Sequence, residues 1–128
     1  MQKIKGTVVS GNKEGAYYVM LDGYKIQFKD KLGITPYPGT LNIKLNSSEI
    51  KKLNNIDDSK SIAINGFEHN GKILGDVLSY KVSFYGNKCA ALMPNRSSHK
   101  EEIELISGIC LRDSLHLTDG QIVEVDFL

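Results

Sequence analysis

The stretch ILGDVLSYKVSFYGNKCAALMP, Ile73 to Pro94, decides the fold class. A run rich in β-branched and aromatic residues meets the two-residue turn signal Gly86–Asn87 and is answered by a second apolar run, the pattern of an antiparallel hairpin. The first strand is expected over 73–85, with Gly75 as a place for a bulge. Working outward, β-type segments recur at 3–9 (KIKGTVV), 16–21 (AYYVML), 24–28 (YKIQF), 40–45 (TLNIKL), 61–65 (SIAIN), 101–107 (EEIELIS) and 121–127 (QIVEVDF). Turn signals stand at Asp22–Gly23, Asn65–Gly66, Asn70–Gly71 and Asp119–Gly120. Two short helices are expected, one over 47–53 with a serine N-cap and one over 111–117. Without long helices to connect parallel neighbours, the strands predict a mainly β protein built as a closed or partly closed barrel.

Length and composition bound the function. A chain of 128 residues fits one domain, expected over 1–128. Its charge, 16 basic against 15 acidic residues, offers no general attraction to a polyanion, so nucleic acid is not expected as a partner. No run approaches the roughly 18 apolar residues of a membrane span, and the segment MQKIKGTVVSG reaches a glycine before a signal-peptide apolar region can form. A cytoplasmic monomer with no membrane partner is expected. Cys89 and Cys110 stand alone, without metal-ligand spacing, and read as reduced structural thiols.

Three places can carry chemistry. In VVSGNKEGAYYV, Val8 to Val19, a strand feeds a loop bracketed by Gly11 and Gly15 and a second strand is expected to follow; the loop reads either as plain turn chemistry or as a set of backbone amides for an anion. In PYPGTLNIKL, Pro36 to Leu45, strand alternation puts Leu41, Ile43 and Leu45 on the core face and Thr40, Asn42 and Lys44 on the other. After a turn stiffened by Pro36, Pro38 and Gly39, that polar trio is either the wet face of a strand or a site for an ion or phosphate. In MPNRSSHKEEIELISGICLR, Met93 to Arg112, the serines and Glu104 could bond a polyhydroxy ligand and Arg112 a phosphate or base, or each could be solvated charge. His69, His99 and His116 show no metal or triad spacing.

Together GTVVSG…EGAYYV, LGITPYPGTLNIKL and ICLRDSLHLTDGQIVEV resemble the CTP-dependent riboflavin kinases of the archaeal type, over nearly the whole chain from Gly6 to Val125. The most specific part is PYPGTLNIKL, matched to that family's Pro-Tyr-x-Gly-Thr-Leu-Asn signature. The resemblance implies a compact six-stranded β-barrel of the cradle-loop type with one or two short helices. It also implies transfer of the γ-phosphoryl group of CTP to the terminal ribityl hydroxyl of riboflavin, giving FMN and CDP with Mg²⁺ as cofactor.

Residue by residue, Thr40 and Asn42 match the family's magnesium ligands. Gly11, Asn12, Lys13, Glu14, Gly15, Ala16 and Tyr17 match one nucleotide-binding segment, and Ile109, Cys110, Leu111 and Arg112 a second. Ser97 and Glu104 match flavin-contacting positions, and Glu104 is expected to be the catalytic base. Lys13 stands where the family loop often has glycine. The segment from Pro94 to Glu104 is slightly shorter than the family pattern, so Arg96 and Ser98 stand beside Ser97 as alternatives. The rival reading is a non-catalytic barrel that binds DNA or senses flavin or nucleotide.

Overall fold

A computed structural model describes residues 2–10, 14–94 and 101–128. In chain order, β1 (Gln2–Val9) is followed by α1 (Glu14–Val19) and α2 (Asp22–Gln27), and α2 continues through a π-type turn over Phe28–Leu32 that ends at Gly33, φ 68°. Then come β2 (Leu41–Lys44), α3 (Ser47–Asn54), a 3₁₀ turn over Asp58–Lys60, β3 (Ile62–Ile64), and the small hairpin of β4 (Glu68–His69) and β5 (Lys72–Ile73). The chain closes with β6 (Val77–Phe84), β7 (Asn87–Pro94), β8 (Glu102–Ser107), α4 (Leu111–Ser114) and β9 (Ile122–Phe127). Among the described residues no helix is long and apolar enough to cross a membrane.

The strands run β6-β7-β8-β2-β1-β9, and β9 returns to β6 through Val82↔Phe127 and Ser83↔Asp126, which closes a six-stranded antiparallel barrel; β3 adds to β6 outside the ring. The hairpin expected from the opening stretch is present, with Val77 opposite Pro94 and Phe84 opposite Asn87. Its turn lies one residue earlier than expected. Tyr85 (φ 48°) and Gly86 (φ 81°) both take the left-handed conformation that matches a two-residue loop to the twist of its strands. The strand expected over 73–85 is interrupted rather than bulged at Gly75. There Leu74 N donates to Phe67 O at 2.8 Å, and Gly75 O accepts from the Tyr24 hydroxyl at 2.6 Å, so these backbone groups serve the small hairpin and α2.

Two cores result. Inside the barrel, alternate residues of the strands meet: Ile4 and Val8, Leu41 and Ile43, Ile103 and Leu105, Val123, Val125 and Phe127. Outside it, Val19, Tyr24, Phe28, Leu32 and Ile34 lie on Ala90, Leu92 and Ile106, the outward-facing residues of β7 and β8. This second core corrects the strands expected at 16–21 and 24–28, which are helical. Tyr24, Ile26 and Phe28 alternate, but the buried set is Tyr24, Phe28 and Leu32, one helical turn apart, while Ile26 is 59% exposed. Asp22–Gly23 is accordingly the first turn of α2 and not a hairpin turn. Gly23 is needed there because a Cβ would stand 2.5 Å from the Phe67 ring.

The helix expected over 47–53 forms as α3, but its cap is Asn46, whose side chain accepts from Glu49 N at 3.0 Å. Glu49 in turn finishes the barrel. β2 pairs only with Thr7, Val8 and Val9 of β1, so the Lys5 amide lies beyond that ladder and donates instead to Glu49 Oε1 at 2.6 Å. Lys52 Nζ adds an ion pair at 2.9 Å. The Lys5 amide first, and Lys52 second, hold this carboxyl below its ordinary value of 4.5. Its contribution is therefore present above that value and lost as pH falls through the lowered folded pKa. Glu49→Ala is expected to lose about 1.5 to 3 kcal/mol of stability at pH 7, the worth of a hydrogen bond to a charged group. The deficit should shrink in strong acid, which urea melts of both proteins at pH 7 and near pH 3 would show.

Candidate active site

Alternation places Thr40, Asn42 and Lys44 on the outer face of β2, as expected, and the same rule puts Glu102 and Glu104 on the outer face of β8. Register then sets Asn42 directly opposite Glu104. The Thr40 hydroxyl lies between them, donating to Asn42 Oδ1 at 2.9 Å with Glu104 Oε1 at 3.4 Å. Asn42 Nδ2 donates to Glu102 Oε1 at 3.4 Å, which turns the amide oxygen toward Thr40. The proline-rich turn aims this group: Tyr37 N donates to Ser107 O at 2.8 Å, tying residues 36–39 to the end of β8.

Glu104 is half-buried, because the next outward position on β8, Ile106, already lies under the helical layer. Burial pushes its carboxyl up from the ordinary 4.5; the Thr40 hydroxyl works against that rise and the Glu102 charge adds to it. A carboxyl with a raised pKa beside two neutral oxygens can accept a proton from a hydroxyl. The same oxygens suit a hard divalent cation such as Mg²⁺, which takes few protein ligands when phosphates supply the others. Among the described residues no group of three or more His, Cys, Asp and Glu could hold a metal ion.

A second group adjoins the first across β1, where Val9 stands opposite Asn42. Arg112 Nη2 donates to Val9 O at 3.4 Å, and Arg112 Nη1 pairs with Asp119 Oδ1 at 3.0 Å. The Ser10 hydroxyl donates to Asp119 Oδ2. Of the other residues in this segment, Ile109 is exposed, and Leu111 is buried in the barrel core, so its side chain is not free for a ligand. Cys110 is half-buried, and the charge it would carry raises the Tyr37 phenol above its ordinary value. The carbonyls of Cys110, Leu111 and Arg112 accept from Ser114, Leu115 and Leu117. Cys89 is buried, and burial pushes its thiol up to about 11, in keeping with a structural role.

Gly11, Asn12 and Lys13, and Ser97 with its alternatives Arg96 and Ser98, lie outside the described residues. Glu14, Gly15 and Ala16 open α1, so Gly15 does not close a hairpin as expected; the chain enters the helical layer there. Tyr17 is exposed on α1, 3.4 Å from His69 Nε2. Sequence reasoning missed Asp119 and Ser10, which the Asp119–Gly120 turn signal disguised, and it did not single out Glu102. Strand alternation from Glu104 was the signal that could have found Glu102.

A family model described as CTP-dep_RFKase, domain of unknown function DUF120, matches residues 8–127. The chain belongs to this family. It is 43% identical over 127 residues to a riboflavin kinase of Archaeoglobus fulgidus, a match covering 98% of this chain and 54% of the relative. A riboflavin kinase of Pyrobaculum aerophilum is 42% identical, with 98% and 60% covered, and one of Ignicoccus hospitalis is 43% identical, with 95% and 69% covered. The chain thus spans 54% of the length of the first of these relatives. Within the CTP-dependent riboflavin kinase family, the Thr40, Asn42 and Glu104 group belongs to a segment that the family model covers in full.

Proposed function

We propose that this chain is a riboflavin kinase that moves the γ-phosphoryl group of CTP to the terminal ribityl hydroxyl of riboflavin, giving FMN and CDP. The observation that carries the reading is Glu104 set opposite Asn42, with the Thr40 hydroxyl between them. The ribityl oxygen forms the new bond to the γ-phosphorus, and the bond from that phosphorus to the bridging oxygen breaks, leaving its electron pair on CDP. Glu104 orients the hydroxyl and takes its proton. Because the transition state is loose, positioning and charge stabilisation do most of the work. Arg112 and residues 11–17 hold the polyphosphate, and the segment 109–112 reads the cytosine. Ser97 contributes to the flavin site. Thr40 and Asn42 are the residues that would hold Mg²⁺, which when bound supplies charge neutralisation at the phosphate oxygens.

The test is an assay of FMN formation from riboflavin with CTP, ATP, GTP and UTP in turn, with and without a chelator. FMN is expected with CTP, and its formation is expected to stop on chelation. No FMN with any nucleotide, alongside intact flavin or nucleotide binding, would make the chain a sensor instead.

A further inference from the structure

The turn before β9 lies against the end of β1. Gly120 N donates to Val8 O at 2.8 Å, and Val8 N donates to Gln121 O at 2.8 Å, so backbone bonds fix its place. From there Asp119 reaches two ways, to Arg112 Nη1 at 3.0 Å and to the Ser10 hydroxyl. Arg112 is held again by the Val9 carbonyl at 3.4 Å, yet its side chain stays 37% exposed. A solvent-exposed ion pair adds little to stability. The Asp119 pair and the Val9 carbonyl instead restrain a planar fork of five donors at two of its nitrogens. The anchor is Val9, the residue opposite Asn42, so Arg112 is held on the strand that neighbours the one carrying Asn42.

We infer that Asp119 is a positioning residue for nucleotide binding: by gripping Arg112 and Ser10 together it holds the guanidinium ready for the phosphates of a nucleoside triphosphate. The inference rests on the proposed role of Arg112 as a nucleotide contact. Orienting a long side chain in the fold removes that ordering from the binding step, which is how preorganisation raises affinity. Asp119 stays ionised throughout any neutral assay, because the Ser10 hydroxyl first and Arg112 second hold its carboxyl below the ordinary 3.8.

The experiment compares wild type, Asp119→Ala, Arg112→Ala and the double variant by calorimetric CDP binding and by steady-state kinetics. Asp119→Ala is expected to weaken CDP and raise KM for CTP about tenfold, with kcat and KM for riboflavin changed less than about twofold. On the Arg112→Ala background the same change should cost nothing further. Unchanged CDP affinity in Asp119→Ala overturns the inference, and so does a full tenfold loss that persists without Arg112. If Asp119→Ala lowers the thermal midpoint by more than a few degrees, the isosteric Asp119→Asn carries the same comparison. Wild type that binds neither CTP nor CDP would overturn the reading of the site and this inference with it; wild type that binds them isolates the role of Asp119.

Discussion

Glu104→Gln is expected to lower kcat for FMN formation by about a hundredfold or more, the usual scale of a lost general base. The amide keeps the shape of the carboxylate and can still accept from Thr40, which lies 3.4 Å from Glu104 Oε1 in the native site. The KM for riboflavin should therefore move by no more than about threefold, separating proton acceptance from flavin binding. The pH profile gives an independent sign. Burial raises the Glu104 carboxyl, so the acid limb of kcat for the native protein should lie above the ordinary 4.5. In the glutamine variant that limb should vanish.

The same shift predicts stability in the opposite direction from activity. A carboxyl whose folded pKa is raised contributes stability that is full below its unfolded value and lost as pH rises through the folded one. At pH 7 the native protein thus carries a half-buried carboxylate beside Glu102 at some cost, and Glu104→Gln relieves it. Denaturant melts at pH 7 should find the variant at least as stable as the parent. Near-normal turnover in Glu104→Gln would remove the base from the mechanism, whatever the melts show.

How far the sequence could be read depended on whether one period was at work in a segment. β2 has one face in the barrel core and one outside, so Leu41 and Ile43 separate cleanly from Thr40 and Asn42. The 24–28 segment was ambiguous because five residues are too few to tell a period of two from one of 3.6, and Leu32, which completes the helical stripe, lay outside the window. A clue to the helical layer was present in KCAALMP. Cys89 and Ala91 face the inner core while Ala90 and Leu92 face the outer one, and a strand apolar on both faces needs a cover on both. The Arg112, Asp119 and Ser10 group was beyond reach for another reason. Ser10 and Asp119 are 109 positions apart, and only the pairing of the first strand with the last brings them together.

Replacing both Thr40 and Asn42 by alanine is expected to cut kcat/KM by more than about a hundredfold, since even the groups that merely orient metal ligands cost 10- to 100-fold when removed. Both side chains lie on the outer face of the barrel, while Leu41 and Ile43 hold β2 to the core. The double variant should therefore fold, with a thermal midpoint within a few degrees of the parent's. Their loss also strips Glu104 of the Thr40 hydroxyl that opposes the rise of its pKa, so residual activity should need a higher pH than native activity does. A readout apart from turnover is CDP affinity measured with and without Mg²⁺. The native chain should bind CDP more tightly with the ion, and the double variant should show no such difference. Phosphoryl transfer that survives a chelator, or a double variant whose CDP affinity still responds fully to Mg²⁺, would take the metal away from these two oxygens. The amide in the middle of β2 would then be no more than the wet face of a strand.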